Sequence, residues 1–87
     1  MKVIAKPIEM IAHTNEKGEI RPYRFRVQLD NEPVKVINID KVLFTQPEKL
    51  AGNPMILFKC RSMDNDVETF FDIKYELNTC KWILFRI

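Results

Sequence analysis

The sequence predicts an all-β fold: a small six-stranded, mostly antiparallel barrel or highly curved sheet, forming a single domain over residues 1–87. Three observations predict it. Tyr23, Phe25, Val27 and Leu29 alternate with Arg24, Arg26 and Gln28, and Val67, Thr69, Phe71, Ile73, Tyr75 and Leu77 alternate with Glu68, Asp72, Lys74 and Glu76. Successive strand side chains point to opposite faces, so this is the pattern of half-buried strands. The runs are rich in Val, Ile, Phe and Thr, which suit a pleated surface. Turn-forming clusters separate them at Thr14–Glu19, Asp30–Pro33, Gln46–Pro54, Asp64–Asp66 and Asn78–Thr79.

The chain has 87 residues, 46% hydrophobic and 30% charged, with 14 Lys and Arg against 12 Asp and Glu. That size allows one small core, and that hydrophobicity excludes a disordered chain. No apolar run approaches the ~18 residues of a membrane helix.

The first strand is expected near residues 2–12. Its opening apolar stretch, Val3-Ile4-Ala5, ends at Lys6-Pro7. A secretory signal needs ~7–15 apolar residues, so a cytoplasmic location is predicted. The second strand covers 20–29 and the third 34–44. Parity across the turn at Asp30–Pro33 sets Phe25 and Val27 beside Val34 and Val36, and Arg24 and Arg26 beside Lys35 and Ile37. Beyond Val36 alternation fails, because Ile37, Ile39, Val42, Leu43 and Phe44 cannot all face one way. A bulge or bend accounts for this, and a barrel would remove the open edges of a flat sheet. Thr45 to Gly52 carries a helix N-cap candidate, Pro47, Glu48 and a terminal glycine. At most one short helical turn near 47–51 is expected there, a plain loop being the alternative.

Strands at 55–63, 67–77 and 80–87 complete the set. A turn at Asn78-Thr79 sets Leu77 against Cys80, Tyr75 against Trp82, Ile73 against Leu84 and Glu76 against Lys81. A turn at Asn65-Asp66 sets Cys60 against Phe71, Phe58 against Ile73, Ile56 against Tyr75, Lys59 against Asp72 and Arg61 against Phe70. Both registers group apolar residues on one face and opposite charges on the other. The expected core is Ile8, Met10, Phe25, Val27, Val36, Phe58, Phe71, Ile73, Tyr75, Trp82 and Leu84. Cys60 then lies level with Arg86, six residues from Cys80 along the last strand. The gap of roughly 20 Å exceeds what a disulfide spans, so two free thiols are expected.

The landmarks Pro22-x-x-Phe25-x-Val27, Val36, Val42-Leu43, Tyr75-Glu76-Leu77 and Trp82-x-Leu84 resemble, in their order, an uncharacterised family of small bacterial β-barrel domains. The resemblance runs from about residue 20 onward and implies a barrel. The family has no established activity, so it implies no functional residue.

No catalytic constellation is visible. His13 has no nucleophile tied to it, and Ser62 has no motif around it. His13, Cys60 and Cys80 are too few and too scattered for a four-ligand zinc site. Asp64 and Asp66 lack the glycine and distal glutamate of a calcium loop. Gly18 and Gly52 are isolated, which excludes a phosphate-cradling loop. The sequence therefore predicts a non-enzyme with no cofactor and no metal: a binding or protein-interaction module of unknown ligand.

Two outward surfaces are candidates for that role. Arg24 and Arg26, joined by Lys35, form a basic ridge, and Arg61 stands opposite the exposed Phe70. Cations interleaved with aromatics suit a nucleic-acid backbone and its bases, so a nucleic-acid-binding accessory protein is the alternative. If Trp82 and Leu84 face the core, Ile83, Phe85 and Ile87 form an outward apolar stripe suited to a protein partner or to self-association.

Overall fold

A computed structural model describes residues 1–87. The alternating runs form seven strands and no helix: β1 (Val3–Thr14), β2 (Ile20–Val27), β3 (Lys35–Asn38), β4 (Lys41–Leu50), β5 (Asn53–Asp64), β6 (Val67–Glu76) and β7 (Lys81–Arg86). They make one antiparallel sheet in the order β3-β2-β1-β7-β6-β5-β4. The all-β expectation holds, with seven strands rather than six.

The extra strand arises where alternation fails. The expected third strand breaks at Ile39-Asp40 into β3 and β4, which are the two opposite edges of the sheet. Three Cα steps reach at most about 11 Å, so the edges must come together there. The Ile39 amide donates to the Tyr23 carbonyl at 2.8 Å, and the Asp40 amide donates to the Arg61 carbonyl at 3.0 Å. One hydrogen bond thus reaches each side of the seam, but no ladder joins β3 to β4. The sheet is curled and not closed, which corrects the barrel expectation.

The opposite corner is turned by β1. Val3 to Ile8 pairs with β7, whereas Glu9 to Thr14 pairs with β2. Each half carries a bulge, with Ala5 at φ 45° in the first and Tyr23 as the extra β2 residue in the second. Bulges sharpen local twist and bend. The two halves consequently face each other across one core. Phe25 of β2 meets Phe71 of β6 with ring centroids 5.5 Å apart, and Trp82 packs on Tyr75 and Phe58 at 4.7 and 5.6 Å. Ile73 and Leu84 are 0% exposed.

The expected helical turn near 47–51 is strand instead. Thr45 to Leu50 pairs with Phe58 to Asn53, and the chain reverses through Ala51 and Gly52, at φ 51° and 82°. Both conformations are left-handed, as a two-residue type I′ hairpin requires. Gly52 suits a helix terminator and this turn alike, because both need the same positive φ. Pro47 suits its position, since an edge strand tolerates a residue with no amide hydrogen.

The other two hairpins adopt the expected registers. Asn65 and Asp66 form the β5–β6 turn, both at positive φ, with Cys60 opposite Phe71 and Arg61 opposite Phe70. Tyr75 faces Trp82, Ile73 faces Leu84 and Glu76 faces Lys81, but the expected Leu77–Cys80 pair does not form: the turn takes four residues, closed by the Cys80 amide donating to the Glu76 carbonyl with Cys80 at φ 61°. Beyond Leu84 a bulge at Phe85 sets Asp72, not Phe71, against Arg86. The β2–β3 register is off by one from expectation. Phe25 pairs with Ile37, Val27 with Lys35 and Arg26 with Val36. A seven-residue connection, Gln28 to Val34, replaces the four-residue turn that parity assumed. Val36 accordingly leaves the core and is 57% exposed, while Ile37 packs against the core and Ile39 lies within it. Ile8, Met10 and Tyr75 pack around the core half-buried.

Candidate binding faces

The outward residues of the sheet form two surfaces on opposite sides of the core. Phe25 and Phe71 meet in the middle, so the residues beside them in sequence point away from one another.

On the β1–β2–β3 side, Arg24 lies between Ile11 and Asn38, and Arg26 lies between Glu9 and Val36. Arg26 is paired with Glu9 at 3.5 Å between two exposed side chains. Arg24 is exposed and carries no ion pair. Lys35, expected beside them, lies across from Val27 on the other face and reaches Glu32 at 3.5 Å. The ridge therefore has two arginines with one acid, and two branched aliphatics stand in the gaps. Ile11 is 56% exposed. The bulged Tyr23 extends this face, with the Arg21 guanidinium 4.4 Å above its ring and His13 edge-on at 6.2 Å. His13 is thus part of an aromatic–cation stack on the surface. A shallow groove of about 360 Å³ runs between Ile11, Arg24, Arg26 and Val36.

On the β4–β5–β6 side, Arg61 and Phe70 are directly opposite, and Lys41 completes their row. In the next row Phe44 and Lys59 precede Asp72. Phe44 and Phe70 are each 46% exposed. Arg61 pairs with Glu68 at 3.6 Å, whereas Lys41 and Lys59 have no carboxylate partner. Asp72 is fully buried and held by Arg86, and the Asp40 carboxylate accepts the Met63 amide. Arg61 and Phe70 are legible in the sequence, but Phe44 is not. A bulge at Leu43, between the Val42–Cys60 and Phe44–Lys59 pairs, turns Phe44 outward, and no residue pattern marks its position.

The expected Ile83, Phe85 and Ile87 stripe does not run straight. The Phe85 bulge reverses parity, so Arg86 turns outward to Asp72 and Ile87 packs against the core. Phe85 lies beneath Lys74, whose Nζ is 3.8 Å from its ring centre and 3.0 Å from Glu48 Oε1. All three apolar residues are half-buried.

The thiols are both free. Burial, reinforced by the Asp72 carboxylate, pushes the Cys60 thiol up to about 12, so it stays protonated and unreactive. Cys80 is exposed in the β6–β7 turn at φ 61°.

That turn is clamped by Glu76, which accepts hydrogen bonds from Thr79 Oγ1 and, at 2.6 Å, from Asn53 Nδ2. The Thr79 bond, then the Asn53 bond, hold its carboxyl below the ordinary value. A depressed folded-state pKa adds stability above the unfolded pKa, and that stability is lost as pH falls through the folded value. Glu76→Gln should therefore lower the urea midpoint at pH 7, and the gap from wild type should close on acidification to about pH 3. A gap independent of pH would show that the clamp does not depend on charge.

The chain matches no protein-family model, no curated protein and no solved structure.

Proposed function

We propose that this chain is a non-enzymatic binding module that docks a protein partner on the outer face of β1–β2–β3. The observation that carries the reading is the composition of that face. Ile11, Val36 and Tyr23 are exposed around Arg24, an arginine that forms no ion pair, the one acid in the groove, Glu9, being paired with Arg26. Protein interfaces are enriched in Tyr and Arg and depleted in Lys, and their energetic centres combine such anchors with apolar contact. The partner supplies a carboxylate for Arg24 and apolar side chains for the groove between Ile11 and Val36. A nucleic-acid track along Arg24 and Arg26 has less support, because Lys35 faces away and Glu9 neutralises Arg26.

The test is retention from a nuclease-treated lysate of the source cells by the tagged chain and by Arg24→Glu/Val36→Asp. Both positions are exposed, so the variant should keep its fold by circular dichroism. Wild type should retain a protein in near-stoichiometric amount and the variant should retain none. Equal retention by both, or none by wild type, would remove the reading.

A further inference from the structure

We propose that the opposite surface, on β4–β5–β6, binds single-stranded nucleic acid, with Phe44 and Phe70 as stacking platforms and Lys41 and Lys59 as phosphate contacts. This goes beyond the protein-docking reading, which concerns the other side of the core. Three features of the surface support it.

First, away from the β5–β6 turn the acids of this face are held in internal contacts, while two of its lysines are not. Glu68 is paired with Arg61, Asp72 with Arg86, Glu48 with Lys74, and Asp40 accepts a backbone amide, while Lys41 and Lys59 stand free. A polyanion gains two contacts without displacing an internal pair. The exposed acids Asp64 and Asp66 sit at the β5–β6 turn and repel a phosphate chain from that end. The track therefore crosses the strands away from the turn.

Second, two aromatic rings flank the free lysine. Phe44 is on β4 and Phe70 on β6, with Lys59 and Arg61 of β5 between them. Strands lie ~4.8 Å apart and the two rings are two residues out of row, so their backbone positions are roughly 12 Å apart on the diagonal. Aromatic faces take any base, and cations between them track the backbone.

Third, lysine is depleted at protein interfaces but is an ordinary phosphate contact, and here Lys41 is exposed and Lys59 half-buried. This face presents free lysines where the opposite face presents arginine and tyrosine.

Fluorescence anisotropy of a labelled oligothymidylate of about 12 nucleotides, titrated with the full chain at roughly 50 to 200 mM salt, tests the site. Wild type should bind, most tightly at low salt. Lys41→Gln/Lys59→Gln should reduce the log–log salt slope by about 1.4, at ~0.7 per phosphate contact. Phe44→Leu and Phe70→Leu, which keep apolar volume at half-exposed positions, should each weaken binding by about fivefold or more at an unchanged slope. Arg24→Glu/Val36→Asp should bind the oligonucleotide as wild type does, so the two surfaces fail separately. Several results would overturn the proposal: no binding by wild type at low salt, binding indifferent to both phenylalanine substitutions, or a slope reduced by Arg24→Gln/Arg26→Gln instead. Loss of the lysate protein on Phe44→Leu/Phe70→Leu, with no oligonucleotide binding, would make this face a protein-docking surface and equally refute it.

Discussion

Trp82→Ala should cost about 3–5 kcal/mol, the usual loss on truncating a buried large aromatic. Trp82 is 8% exposed and lies between Tyr75 and Phe58, so two aromatic rings lose their contact with it. It is also the point at which β1 leaves β7, since Ile8 pairs with Trp82 and the next residue, Glu9, pairs with β2. The indole fills the corner where the sheet folds over, and few neighbouring side chains can move in to close the gap. A domain of this size has roughly 5–10 kcal/mol in total, so the variant should lose about half of its stability. Phe70→Ala is the control: the side chain is 46% exposed and should cost under about 1 kcal/mol. Urea unfolding followed by far-ultraviolet circular dichroism measures both. A loss under about 1 kcal/mol for Trp82→Ala would mean that the corner repacks around other residues.

The parts of this fold that are legible in the sequence are those in which a tight turn fixes parity. At Asn65-Asp66 the turn needs two left-handed residues, and Asn and Asp tolerate that conformation. Every pair from Asp64–Val67 to Met55–Glu76 is then fixed by counting. Parity is lost where the connection is long. Gln28 to Val34 has seven residues, and nothing in their composition says whether the count is odd or even, so the expected faces of Val36 and Lys35 are each reversed in the fold. Bulges are the other gap. Those at Leu43 and Phe85 are backbone events with no required residue type, and each reverses the face of the later residues in its strand. For this reason Phe44 is absent from the expected basic and aromatic surface, and Ile87 is expected on the outside. The Arg61–Phe70 pair is legible because it lies in the hairpin whose turn fixes the register.

The same Phe85 bulge creates the one fully buried carboxylate in the chain, and Arg86→Leu should cost about 2–4 kcal/mol through it. Asp72 is 0% exposed, and its Oδ2 accepts from Arg86 Nε at 2.8 Å with Nη2 at 2.6 Å, while Oδ1 has no partner. Losing Arg86 would leave a buried charge with no hydrogen bond, the situation that makes breaking a buried pair cost about 3–5 kcal/mol. The arginine side chain is 36% exposed, so water recovers part of that and the expected loss is smaller. Asp72→Leu/Arg86→Leu should behave differently. It removes the carboxylate as well as its partner, and Oδ1, unsatisfied in the native fold, goes with it. Replacing a buried pair by apolar side chains is often neutral, and the added bulk of Leu at the Asp72 position costs a little, so the double variant should lie within about 2 kcal/mol of wild type. Urea midpoints for the two single variants and the double close a thermodynamic cycle with a large coupling term. If the two single losses simply add in the double variant, the pair is not coupled. The cost of Arg86→Leu would then arise from its other contacts, such as the Phe85 ring 5.7 Å from its guanidinium, and not from Asp72.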